Sequence, residues 1–168
     1  WLWPAITTLL ASRWVARPWR RASADVRCTE CGTAHPLGVL DRLTSTELAT
    51  HLVDVVRVAT AMVVRTGDPS HPDLRRRAVQ HVRTYVPTYH QNQLDRDMAT
   101  FDPATIAGQV APLEPELATE GKERLVAGMV HVALAAHTIT SHQRWLLDAA
   151  GTGLGLTPVH VTGIISDV

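Results

Sequence analysis

From residue 44 onward, apolar residues recur every three or four positions, and no segment of length alternates with a period of two. That spacing lines one stripe of a helix, whereas a half-buried strand needs strict alternation. The segment therefore reads as all-α. Thr44, Ser45, Thr46 and Glu47 form a capping box, with Glu47 three residues after Thr44. Leu48, Leu52, Val55, Val56, Ala59, Val63 and Val64 follow at helical spacing, and Gly67 is the natural stop. Ser70, followed by Pro72 and Asp73, caps a second helix with Leu74, Ala78, Val82 and Val86 facing inward, ended by Pro87. A third helix is expected over 89–98, and Asp102-Pro103 opens a short fourth. A long apolar helix then runs from Pro115 to about Ala136, with Leu125, Met129, Val132 and Ala136 as core candidates. Thr140 caps the next helix, with Gln143 in the box position and Trp145, Leu146 and Ala149 facing in, before Gly153 and Gly155 end it. Thr157-Pro158 caps the last, which ends near Val168. The expected body is a bundle of six to seven helices over 44–168, preceded by a linker at 23–43 and an N-terminal arm at 1–22.

The arm has its own chemistry. Four of the five tryptophans (Trp1, Trp3, Trp14 and Trp19) fall in the first 19 residues, and core packing rarely concentrates Trp in this way. Trp1 to Ala11 is apolar apart from Thr7 and Thr8, and Arg13, Arg17, Arg20 and Arg21 follow it. Tryptophan favours the membrane interface because an apolar ring carries an N–H that needs a wet partner. Arginine just after an apolar run marks the cytoplasmic side and adds attraction to anionic lipid. Eleven residues reach only about half of a ~30 Å hydrocarbon core. Two membrane readings follow: the tail of a spanning helix that begins upstream of Trp1, or an interfacial amphipathic helix. A Trp-rich arm packed on the body or on a partner protein is the third. Pro18 breaks any helix before the linker.

Charge narrows the partner. Sixteen Lys and Arg balance sixteen Asp and Glu, which argues against a general nucleic-acid binder with its basic excess. Nearly all the positive charge is arginine, Lys122 being the single lysine.

Cys28 and Cys31 form a C-x-x-C pair followed by Gly32, which matches one knuckle of a zinc ribbon. His35 is a candidate third ligand, and a distant His or a partner chain would supply the fourth. Zinc is thus the one cofactor the residues point to. Two idle thiols are the plain alternative. A redox pair should open a helix beside a strand, and no strand pattern is legible nearby.

The run from Gly128 to Leu147, which includes Thr140-Ser141-His142-Gln143, leads into Gly153-Leu154-Gly155-Leu156-Thr157. It resembles the second half of a TerB-like (tellurite-resistance TerB) domain, and Val58 to Val86 is similar to the first half. The resemblance would cover residues 44–168. It implies a helical bundle and a metal site built from acidic pairs, near Thr66 and Asp73 in the first unit and near His137 and Gln143 in the second. Of those positions only Asp73 is acidic here, with Asp68 as a shifted candidate. A hard divalent cation wants charged oxygen ligands, whereas His71, His137 and His142 suit a softer ion such as zinc.

No phosphate-binding glycine loop, metalloprotease pair or nucleophile motif is present in the sequence. Gly151-Thr152-Gly153-Leu154-Gly155 ends a helix rather than following a strand. No small-molecule substrate is evident. The expected function is non-enzymatic: an accessory or adaptor subunit on the cytoplasmic face of the cell membrane, binding a protein partner. The alternative is a metal-binding protein of stress response or tellurite resistance, with Cys28, Cys31, His35, Asp73, His137 and His142 as candidate ligands.

Overall fold

The structure, a computed structural model, describes residues 25–27, 34–36 and 45–168. The chain divides into two units at Arg42–Leu43. In the first, β1 (Asp25–Arg27) pairs antiparallel with β2 (Ala34–Pro36), in the register Asp25 with Pro36, Val26 with His35 and Arg27 with Ala34. Strands this short carry too little alternation to be read from sequence, which corrects the expectation of no strand near the cysteine pair. Cys28, Cys31, the arm of residues 1–22 and the Thr44 cap lie outside the described residues.

The second unit is all-α, as the periodicity requires. It contains α1 (Ser45–Thr66), α2 (Pro72–Arg83), α3 (Gln91–Thr100), α4 (Ile106–Val110), α5 (Thr119–Ala133), α6 (Ser141–Gly153) and α7 (Pro158–Asp167). Single turns of 3₁₀ helix at Pro103–Thr105, Ala111–Leu113 and Leu134–Ala136 flank α4 and close α5. The centre of the bundle is α1, which packs on α2, α3, α5 and α6. Its residues Val58 to Val64 are all buried without interruption. A helix apolar all round is stable only when neighbours surround it. The remaining core is one-faced: Leu74, Ala78 and Val82 from α2, Val126, Met129 and Val130 from α5, and Leu146, Leu147 and Ala150 from α6.

Local chemistry sets the helix ends, in places differently from the sequence reading. His71, rather than Ser70, caps α2, its Nδ1 accepting from Leu74 N at 3.4 Å. Ser70 is drawn instead to Asp68, donating to its carboxylate from both N (2.9 Å) and Oγ (2.6 Å). These bonds hold the Asp68 carboxyl below its ordinary range. The fifth helix starts at Thr119 and not at Pro115, because Ala118 is extended (ψ 158°). The residues between close turns on Leu113 O and place Leu117 against the core. Trp145, expected to face inward, is 50% exposed; Leu147 takes the inward place beside Leu146. Val86, Ala136 and Ala149 are only partly buried at the margin of the core.

The Thr140–Gln143 box forms as expected: Gln143 N donates to Thr140 Oγ1 (3.1 Å) and Thr140 N donates to Gln143 Oε1 (3.0 Å). It also does more than cap α6. Gln143 is buried and donates from Nε2 to Val63 O (3.1 Å), while Thr140 Oγ1 donates to Thr66 O (3.2 Å). Both carbonyls belong to the last turn of α1, where helix carbonyls run out of intrahelical partners. One helix start thus satisfies another helix end across the bundle.

Candidate functional site

The most distinctive exposed element is α2. Its sequence holds Arg75, Arg76, Arg77 and Arg83 against one acid, Asp73. At 3.6 residues per turn, Leu74, Ala78 and Val82 share the buried side, which leaves Arg76, Arg77, Gln80 and Arg83 on the outer arc. Arg75 sits at the margin, tied to Pro69 O at 2.9 Å and paired with Asp95. Arg76 pairs with Asp73 across one turn, yet its side chain stays 67% exposed. Arg83 donates from Nε to Tyr89 O (2.8 Å) and meets His90 Nδ1 at 2.9 Å, neither of them an anion.

Open recesses flank this arginine ridge. One, of about 660 Å³, is lined by Ser70, Arg75, Arg76, Gln80, Arg83 and Gln91 among others. The other, of about 310 Å³, lies between α2 and the end of α5, lined by Asp73, Arg76, Arg77, Gln80, Leu134, Ala135 and His137. Both walls invite anions more than cations.

That geometry bears on the candidate metal ligands in the body. Asp73 and His137 do share the smaller recess, but Asp73 is already paired with Arg76, and Arg77 adds a second positive charge. A divalent cation would face repulsion from both guanidinium groups. His137 has φ +68° and ends the 3₁₀ turn as a left-handed cap, a role glycine usually takes. His142 lies exposed in the first turn of α6. Among the described residues, no three His, Cys, Asp or Glu side chains come together to hold a metal ion. The body ligand set of Asp73, His137 and His142 is therefore not assembled. His35 stands on β2, in register with Val26.

A buried polar cluster that the sequence reading missed joins α1 to α3. Arg57 donates to Asp97 Oδ1 (2.9 Å), and the Tyr89 hydroxyl donates to Asp97 Oδ2 (2.8 Å). Tyr89 is fully covered and Asp97 is 6% exposed. Burial, then the bond and charge of Asp97, raise the Tyr89 hydroxyl far above its ordinary value. Burial pulls the Arg57 guanidinium down, but its bond to Asp97 and the charges of Asp97 and Asp54 outweigh this and raise it. With the tyrosine covered and the acid bonded to both partners, the cluster crosslinks α1 to α3. Its signal in the sequence is Asp97, an acid three residues after Leu94 on the inward stripe of α3.

His81 marks where α2 crosses α5. An added Cβ at Gly128 would lie 2.6 Å from His81 Cε1, so the ring occupies space that only glycine leaves open. Burial, with a smaller contribution from His131, lowers the His81 pKa below its ordinary value. The unfolded chain therefore takes up a proton that the folded state resists, and this contribution is complete only above the unfolded value of about 6.5. Thermal melts should show stability falling from about pH 7 towards pH 5, and falling less steeply in His81→Gln. Equal slopes in the two proteins would contradict this.

No model of a known protein family, no curated protein and no solved structure matches the chain.

Proposed function

We propose that the chain is a membrane-associated, non-enzymatic adaptor, whose TerB-like helical body binds a protein partner at the cytoplasmic face. One observation carries the reading: four tryptophans and four arginines crowded into residues 1–21, a composition made for the lipid–water boundary. The exposed ring of Trp145, on a body whose core is complete without it, supports a role in binding. Among the described residues no helix is long and apolar enough to cross a membrane.

Cell fractionation followed by pull-down from the detergent extract tests this. The full chain is expected in the membrane pellet with a partner retained, and Trp1, Trp3, Trp14 and Trp19→Ala to move into the supernatant. A chain that stays in the supernatant with its arm intact, and retains nothing, refutes it.

A second reading has one feature in its favour. Strands β1 and β2 pair up to Arg27 and Ala34, and Cys28 and Cys31 fall between them in the sequence. Zinc held by Cys28, Cys31, His35 and a fourth ligand would then be structural. Stoichiometric zinc in the purified protein, lost in Cys28→Ser, supports that reading, and a metal-free folded protein removes it.

A further inference from the structure

We propose that the arginine ridge of α2 is a second lipid-contacting element, which lays the helical body on an anionic bilayer surface. This rests on the membrane reading above and adds an orientation to it: α2 is the face of the body turned towards the headgroups.

The charge of α2 is at odds with the rest of the body. Its four arginines face one acid of its own, Asp73, with Asp95 paired to Arg75 at its margin and Asp68 bonded to Ser70 before its first turn. Elsewhere in the body acids outnumber bases: the first turns of α1 and α5 open on Glu47 and Glu120, and Glu120, Glu123 and Asp167 line a separate recess with Arg124. Positive charge is therefore concentrated on one side. Arg76 and Arg83 are seven residues apart, or about 10 Å along the axis. That is about one screening length at physiological salt, so a charged plane meets them together.

The chemistry of the ridge selects the occupant. A protein-binding face needs an apolar centre that excludes water. The outer arc of α2 has none of its own: Val79 is covered, and the arc reads Arg76, Arg77, Gln80 and Arg83 with Asp73 among them, the partly covered Leu134 and Ala135 lying only across the smaller recess. A headgroup plane requires only charge and hydrogen-bond donors, which guanidinium groups supply in a fork that suits phosphate. Two residues beyond Arg83 stands Tyr85, 47% exposed, a ring with a polar tip of the kind that sits at a bilayer interface. The recesses beside the ridge, with Gln80 among their donors, offer room for phosphates between the arginines.

The test is co-flotation of the full chain with vesicles of phosphatidylcholine alone or mixed with phosphatidylglycerol. Two variants are compared with the native chain: Arg76→Gln with Arg77→Gln, both at exposed positions, and Arg13, Arg17, Arg20 and Arg21→Gln in the arm. Arg96→Gln with Arg124→Gln controls for net charge. At roughly fivefold per basic residue near an anionic surface, the α2 pair should weaken binding to the mixed vesicles about twenty- to thirtyfold. Binding to pure phosphatidylcholine should not change, and the control pair should have little effect on either. Loss in the arm variant with none in the α2 pair overturns this inference and leaves the membrane reading standing. Equal losses in the α2 and control pairs also overturn it. An α2 pair that keeps its vesicle affinity but loses a co-purified protein assigns the ridge to that protein instead. A native chain that floats with neither vesicle defeats the membrane reading itself.

Discussion

Asp97→Ala is expected to destabilise the protein by about 3 kcal/mol, read as a shift in urea unfolding of the full chain. Removing one partner of a buried ion pair commonly costs ~3–5 kcal/mol, because the remaining charge is stranded. Arg57 is not fully stranded: its side chain is 32% exposed and it also meets Asp54 at 3.2 Å, which moves the expectation to the low end. The Tyr89 hydroxyl has no such escape. It is covered, its one acceptor is Asp97 at 2.8 Å, and an orphaned buried hydroxyl costs about 1–3 kcal/mol. Tyr89→Phe, which removes donor and demand together, should cost about 1 kcal/mol. The double variant Asp97→Ala with Tyr89→Phe should then fall short of the sum of the two. A loss under about 1 kcal/mol for Asp97→Ala would mean that the cluster does not join α1 to α3 as described.

Gly153→Val is expected to lower the melting temperature on the order of 10 °C. A Cβ at Gly153 would lie 2.5 Å from Ala107 O, 2.8 Å from Ala107 Cα and 2.7 Å from Val110 Cγ2. Two of those atoms are backbone, so α4 as a whole must withdraw from α6. Ile106, Val110 and Leu154, all fully buried, would lose packing with it. Overpacking of this kind costs about 1–3 kcal/mol or more, while removing a glycine from a helix returns less than ~1 kcal/mol. Gly163→Val is the control, since nothing lies within 4 Å of a Cβ there. Similar falls in the two variants would show that α4 and α6 do not meet at Gly153.

The readable and unreadable parts of this fold differ in the range of the forces behind them. Helices came through because their cause is local. The apolar stripe of α6, its Thr140 cap and its Gln143 box partner lie within a few residues of one another. What α6 does across the bundle was hidden: the amide that caps it also donates to Val63 O, 80 residues away. Trp145 was misplaced for the same reason. Its spacing fits the inward stripe as well as that of Leu147, and only the neighbouring helices decide which one is covered. The start of α5 was misjudged because Pro115 is a good first helical residue, whereas the chain spends it on a turn that seats Leu117. Among candidate site residues, Asp73 and His137 do meet in one recess, but the arginines that share it come from the next turn of α2 and set its charge against a cation. The arginines of α2 were not singled out in the sequence; the common face of Arg76, Arg77 and Arg83 with Gln80 appears only once the buried side of α2 is known.

Tryptophan emission with brominated lipid offers the most direct measurement of whether the N-terminal end meets the bilayer. Trp145→Phe removes the body's ring and leaves Trp1, Trp3, Trp14 and Trp19 as the reporters. Added to vesicles containing a bromine-labelled anionic lipid, this variant should shift its emission to the blue and lose most of its intensity to quenching. Emission that stays at its wavelength in buffer, with no quenching at any lipid concentration, would contradict the account.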